Sequence, residues 1–410
     1  MAKNMNDTEP HVEINRLDDN PNYKIVMKDL FLCGQHPRQK SFERVFRSVF
    51  LSSSVISMLI PIWIHFLGCI MAKDMDGVLY AVPILNTDIL SLIKLGSLIL
   101  NRERFLELHG LIIEEWNTVK TKDEIRILDT ITRRGSKLAN MYRMGSLLLA
   151  IFMTALILSI VPLFNPLLDV IKPLNESRPR PQVFEVDYHI DNDEYFYPIM
   201  LHLAYALFIL AAMIYSVDSQ YMVFSHHACA LFALCGYELK RAMENFGNNK
   251  NAVVEDIYKQ IKDCILLHKK ALRFYELLND MNRKGFLLTI GMNMISISMT
   301  MVQLVIYMDQ PAEQTKIFSF LIAQLFHVFF ISLPGQRILD YSFELAENIY
   351  GSTWYETPIR VQRLLLIMKL RCSIPCQITA GGLYNMNMEN FGNIFKTSMS
   401  YFTMLTSVRE

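Results

Sequence analysis

The chain has 410 residues, 52% of them hydrophobic, with 24 Met and 25 Phe and a positive mean hydropathy, which sets it apart from ordinary soluble proteins. Its 40 Lys and Arg balance 40 Asp and Glu, so the overall charge points to neither nucleic acid nor a strongly acidic partner. The seven cysteines (Cys33, Cys69, Cys229, Cys235, Cys264, Cys372 and Cys376) are scattered; Pro375 and the absence of partner histidines argue against zinc at Cys372 and Cys376, so the thiols read as reduced and no cofactor is expected.

The first twenty residues are polar and hold no charged segment followed by an apolar core, so no cleaved signal is expected. Windows of about twenty residues with few charges then mark seven predicted spans. They run over Val49 to Met71, Val78 to Leu100, Leu138 to Phe164, Phe196 to Phe224, Gly285 to Met308 and Ile317 to Leu333, ending with a last helix over Gly381 to Val408. This divides the chain into six spans with their extensions (1–333), an anchor segment (334–380) and a last helix (381–410).

Basic residues orient the spans, because translocating them is unfavourable. The segments 1–47, 101–143, 225–284 and 333–380 hold 32 of the 40 Lys and Arg, whereas the alternate loops hold five. The N-terminus is therefore expected in the cytoplasm and the C-terminus outside, the reverse of the G-protein-coupled class. The third span lacks an Asp-Arg-Tyr triplet and the last lacks Asn-Pro-x-x-Tyr. Asn175-Glu176-Ser177 is then a glycosylation sequon in an outer loop, while Asn6-Asp7-Thr8 falls on the cytoplasmic side, where it should be inert.

Between Asn251 and Arg283, apolar residues recur at near-helical period among charged ones (Val254, Ile257, Ile261, Ile265, Leu272, Leu278). The fourth and fifth spans are thus expected to continue as cytoplasmic helices, as is the sixth through Leu339 to Ile349. With the short basic helix Pro358 to Leu370 they would form a cytoplasmic helical anchor bundle.

No phosphate loop, Gly-x-Ser-x-Gly or His-Glu-x-x-His appears, so the chain does not read as an enzyme. His226 and His227 lack further ligands at metal spacing and read as interfacial. Asp88 and Lys94 lie inside the second span and are six residues apart, which is not a clean helical pair. Lys94 is expected to snorkel to the inner interface, with Asp88 facing the bundle or water. Asp218, near the inner end of the fourth span, is read in the same way.

The outer halves of the spans are rich in aromatics and methionines. Tyr80, Ile84 and Thr87, then Ala150, Met153, Thr154 and Ile157, then Phe196, Met200 and Leu203, then Phe320, Ala323 and Gln324 could line one cavity for a small lipophilic ligand, or simply pack the helices. In the last helix, Ser400, Met404, Ser407 and Val408 share a stripe, and Phe391, Phe395, Met399 and Phe402 form a bulky face expected to pack on neighbours. The stripe suits a water path with an apolar constriction as well as it suits close packing of small residues, and periodicity alone leaves both open.

The reversed seven-span plan, together with Ile378-Thr379-Ala380-Gly381-Gly382, Phe391, Lys396-Thr397 and Ser400-Tyr401-Phe402-Thr403-Met404-Leu405, resembles the insect odorant receptors. Gln324-Leu325-Phe326, Gly335 and Trp354-Tyr355 resemble further family positions. The resemblance implies an odorant-gated, non-selective cation-channel subunit in the plasma membrane of an olfactory neuron dendrite. It implies a tuning subunit that joins the co-receptor Orco in a heterotetramer, surrounded by membrane lipid, with each last helix lining the pore. It places the gate at Met404 and Val408, with Ser400 and Ser407 as polar pore positions. The other reading is a seven-helix G-protein-coupled-type receptor or a transporter with no pore of its own.

Overall fold

The computed structural model describes residues 17–119, 121–155, 185–191, 194–248 and 254–409, except the side chains at 248, 312, 408 and 409. Ile157, Asn175, the Asn6 sequon and the side chain of Val408 therefore lie outside the described residues. After a short turn at Leu17–Asp19 come α1 (Lys24–Leu32), α2 (Ser41–Ala72), α3 (Met75–Leu100), α4 (Arg102–Thr118) and α5 (Lys122–Ala155). Two very long helices follow, α6 (Phe196–Asn248) and α7 (Val254–Ile306), then α8 (Pro311–Gly351) and α9 (Ile359–Cys372). A small hairpin of β1 (Thr379–Ala380) and β2 (Tyr384–Asn385) leads into α10 (Met388–Arg409).

Among the described residues, six helices (α2, α3, α5, α6, α7 and α8) are long and apolar enough to cross a membrane. The tight α2–α3 corner is built by Lys73 in the left-handed region (φ 58°) and by Asp74, whose Oδ1 accepts from the amides of Asp76 and Gly77 at 3.1 and 3.2 Å. At 1.5 Å per residue, a helix of 53 residues such as α6 or α7 extends about 80 Å, far more than the ~30 Å hydrocarbon core of a bilayer. Both helices therefore carry one part in the membrane and another in a bundle beyond it.

That second part is the anchor. α4 is amphipathic, with Phe105, Leu108, Ile112 and Trp116 at helical spacing and all buried. They join Phe224, Phe232, Phe274, Leu278 and Ile338 in one contiguous core. α6 runs through its centre: between Tyr221 and Leu239, only Ala233 and Tyr237 and Glu238 are not fully buried. α1 is pinned to it by Tyr23, whose hydroxyl lies 2.9 Å from His227 Nδ1 and accepts from Trp116 Nε1 at 3.3 Å. His226 Nδ1 lies 2.8 Å from the Met222 carbonyl oxygen. Cys372 Sγ lies 3.6 Å from His268 Nε2. Burial, helped by Arg371, holds the His268 imidazole down at about 4, and burial pushes the Cys372 thiol up to about 12, so both are neutral packing groups near pH 7. Sequence periodicity anticipated the anchor's α6, α7, α8 and α9 contributions but not α4 or the start of α5 at Lys122.

α8 continues through Pro334 to Gly351, the continuation expected of the sixth span, and one helix boundary differs from expectation. The last helix begins at Met388 rather than Gly381, because Gly381 and Gly382 turn the β hairpin with φ of 66° and 78°. Gly381 N donates to the Arg283 carbonyl at 2.8 Å, and a Cβ on Gly381 would stand 2.7 Å from Leu287 Cδ2. The hairpin is clipped to α8 as well: Met388 N donates to Gln336 Oε1 at 3.2 Å, and a Cβ on Gly335 would collide with the Met386 carbonyl oxygen. Asn387 then caps α10, its Oδ1 accepting from Asn390 N at 2.8 Å.

Candidate functional site

A cavity of about 170 Å³ opens among α2, α3, α5, α6, α7 and α8, with Met58 as the contribution of α2. α3 supplies Ile84, Thr87 and Asp88, α5 supplies Tyr142, Ala150 and Met153, and α8 supplies Phe320, Ala323, Gln324 and His327. Pro83 lies inside α3 and cannot donate to the Leu79 carbonyl one turn earlier. The Gln303 side-chain amide takes that place at 2.6 Å, which fixes α3 against α7 next to the cavity.

Of the residues expected to line one cavity, the structure brings together Ile84, Thr87, Ala150, Met153, Phe320, Ala323 and Gln324. The others whose side chains are described lie elsewhere. Phe196, Met200 and Leu203 pack with Met58, Ile62, Ala81 and Leu85 in an apolar cluster that adjoins the cavity at Met58. Tyr80 meets Tyr307 edge to face, with ring centroids 6.4 Å apart, and Thr154 is half-buried on α5 off the cavity wall. Helical period identifies a face but not which neighbour fills it, which is why one predicted lining divides into two clusters.

Beside the cavity lies a charged network that the sequence reading missed. Lys94 does not snorkel to an interface: it is buried on α3 and pairs with Asp218 of α6. The second Asp218 oxygen accepts from Tyr142 at 2.9 Å and stands 3.3 Å from His327 Nε2. His327 Nδ1 in turn lies 3.4 Å from Asn293 Oδ1, so Asp218 is served from α3, α5 and α8. A buried carboxylate persists when partners surround it in this way. Charge patterning within one span could not reveal the pair, because its partners are 124 residues apart.

α10 presents two different faces. Ile394 and Ser398 are fully buried, Phe391 and Phe402 pack against the main core, and Ser398 Oγ donates to the Met294 carbonyl of α7 at 3.4 Å. Phe391 meets Phe329 of α8 edge to face at 5.8 Å. Phe395 and Met399, expected on the packing face, are exposed in the single chain at 42% and 36%. The inward stripe is 391, 394, 398 and 402, spaced three, four and four, and the residues around it turn outward. Met404 is 60% exposed, and Ser400 and Ser407 are exposed beside it. Their hydroxyls donate back to the helix itself, Ser400 to the Lys396 carbonyl at 3.1 Å and Ser407 to the Met404 carbonyl at 2.9 Å. Among the described residues, no three His, Cys, Asp or Glu side chains are grouped to hold a metal ion.

The profile of the family described as 7tm Odorant receptor matches residues 74–399, from the start of α3 to the middle of α10. The chain belongs to the insect odorant receptor family. It is 25% identical to odorant receptor Or2 of Anopheles gambiae over 331 residues, covering 77% of this chain and 80% of that one. It is 23% identical to odorant receptor 9a of Drosophila melanogaster over 213 residues, 52% of each chain. The structure of the olfactory receptor OR5 from Machilis hrabei in complex with eugenol superimposes with a TM-score of 0.76 at 15% identity, covering 94% of this receptor and 97% of that chain. The structure of the same OR5 described without eugenol gives 0.72 at 14% identity. The receptor thus shares its helical architecture with a solved insect olfactory receptor along nearly its whole length.

Proposed function

We propose that this receptor is a tuning subunit of an odorant-gated, non-selective cation channel, assembled with Orco in a heterotetramer. The observation that carries the reading is the two-faced α10: its inner stripe is held by α7 and α8, while Ser400, Met404 and Ser407 have no cover within the chain. In the assembly these residues face a central pore, with Met404 and Val408 as the apolar constriction and Ser400 and Ser407 as the wetted positions, since apolar rings gate by dewetting.

The cavity is the odorant site. Its volume compares with a ~150 Å³ cavity that holds benzene, so it accepts a ring or a short chain. The relative solved with eugenol carries a ligand of similar class. Two short paths connect cavity and pore helix. Asn293 lines the cavity and the next residue, Met294, accepts from Ser398 of α10; Phe326 lines the cavity and Phe329, one turn on, meets Phe391. A ligand that fits the open arrangement better than the closed one shifts the population through these contacts.

In this reading the N-terminus and the anchor are cytoplasmic, the C-terminus is outside, and Asn175 is glycosylated in the plasma membrane of the dendrite. The test is current recording from cells that express the receptor with and without Orco under a panel of volatiles. A response that requires both chains supports the channel reading. One that needs GTP and persists without Orco favours the receptor or transporter reading instead.

A further inference from the structure

The cavity wall can be accounted for donor by donor, and the account is lopsided. Thr87 Oγ1 donates to the Pro83 carbonyl at 2.9 Å, and Ser319 Oγ to the Thr315 carbonyl at 2.7 Å. Tyr142 is spent on Asp218, and the Ser146 hydroxyl turns to Tyr142. Asn293 Nδ2 donates to the Thr289 carbonyl at 2.7 Å, and Gln324 Nε2 reaches Thr300 Oγ1 at 3.3 Å. The atoms left over are Asp88 Oδ1, Asp88 Oδ2 and Gln324 Oε1, all buried and all without a partner, and His327 Nε2, which makes no hydrogen bond but faces Asp218 at 3.3 Å. Asp88 is 1% exposed and Gln324 6% exposed, and both line the cavity. Lys94, the one lysine nearby on the same helix, is committed to Asp218 and does not answer Asp88.

An orphaned buried carboxyl is costly, and native proteins keep one where something arrives to pair with it. With Asp88 ionised in the complex these carboxylate and amide oxygens are all acceptors, so the group that pairs with them must be a donor, and more than one hydrogen is needed to serve both side chains. A carboxylate ligand would set oxygens against oxygens. A ketone, aldehyde or ester brings no donor and leaves Gln324 Oε1 unmet, and an alcohol brings a single hydrogen. A primary ammonium brings three, carries the charge complementary to Asp88, and forms the stronger, charge-assisted kind of hydrogen bond. The rest of the wall is apolar and aromatic: Met58, Ala150, Met153, Leu210 and Ile214 can hold a hydrocarbon body, and the ring of Phe320 lines the same cavity.

Resting on the odorant-site reading of this cavity, we infer that the receptor is tuned to small primary amines with an apolar ring or chain, bound through Asp88 and Gln324. The pair is neutral overall whichever partner carries the proton on arrival, so a volatile amine can enter through an apolar mouth and be held as a salt.

The test uses four compounds of one shape, benzylamine, benzyl alcohol, benzaldehyde and toluene, with two readouts: current in cells carrying the receptor and Orco, and the thermal unfolding midpoint of the purified full-length receptor. Benzylamine is expected to act at a half-maximal concentration at least about tenfold below the other three, the scale of one charge-assisted hydrogen bond. Asp88→Asn keeps the shape and removes the anion; it is expected to erase the advantage of benzylamine over benzaldehyde, whose carbonyl can accept from the new amide. Where surface labelling shows that Asp88→Asn fails to reach the membrane, Gln324→Leu takes its place, with the amine advantage expected to shrink at least threefold. Equal potency across the set, a leading aldehyde or hydrocarbon, or an amine advantage that survives the substitution would overturn the inference and leave the channel reading standing. A midpoint raised by benzylamine alone, with no current in the presence of Orco, would support the inference and sink the channel reading. Silence of all four compounds in both readouts would overturn the inference.

Discussion

The middle of α6 and the C-terminal half of α10 are both helical segments of an apolar chain, yet they are held in opposite ways. Around Phe224, α6 is enclosed by other helices, with a stacked Phe105 ring at 5.9 Å and a tilted Phe274 ring at 6.5 Å. From Met399 to Ser407, α10 leaves most of its side chains uncovered and relies on hydroxyls that bond its own backbone. The comparison teaches that this receptor concentrates its stability in the anchor and the charged network above it, and leaves the last helix loosely held. A helix meant to move between two positions needs few contacts that must break.

That contrast predicts a descending series. Replacing Asp218 by Ala strands Lys94 in the interior and should cost about 3–5 kcal/mol, seen as loss of surface expression and a large fall in the unfolding midpoint. A joint Lys94→Met, Asp218→Leu change should recover much of it, because no charge is then left alone. Phe224→Ala, which empties the stacked core, should lower stability by about 3–5 kcal/mol as well, with no change in ligand rank among the receptors that survive. Gly335→Ala drives a Cβ against the Met386 carbonyl and should cost about 1–3 kcal/mol; because the hairpin sets where α10 begins, it should also alter gating. At the bottom of the series, Met404→Asn should move the unfolding midpoint by less than about 0.5 kcal/mol equivalent while raising basal current, because it weakens an apolar barrier and not a packed core. A Met404→Asn receptor as unstable as Phe224→Ala would collapse the contrast.

Much of the architecture was legible because its signals are local. Apolar windows marked the spans, and the period of Ile257, Ile261 and Ile265 announced the continuation of α7. The same rule could have found α4, since Phe105, Leu108, Ile112 and Trp116 repeat at three, four and four in a segment treated only as a basic loop. The helix drawn back to Gly381 failed for a readable reason too: two consecutive glycines are poor helix formers and good turn formers, and here both take positive φ. Other features have no local trace. Nothing near Lys94 in the sequence points to Asp218, and nothing near Phe196 says that it packs with Ile62 and Ala81 instead of facing the cavity with Phe320. Those choices are made by helix rotation and crossing in three dimensions, which a periodicity cannot carry.

In the proposed mechanism, odorant in the cavity moves α10 so that its exposed stripe becomes the conducting path. The most direct measurement is odorant-evoked current through a Met404→Cys receptor with Orco while a charged, membrane-impermeant thiol reagent is applied. The account predicts irreversible block that proceeds faster in the presence of odorant than in its absence, with Ile394→Cys on the buried face unaffected. Normal surface expression and normal current, with no block at position 404 in either condition, would contradict it.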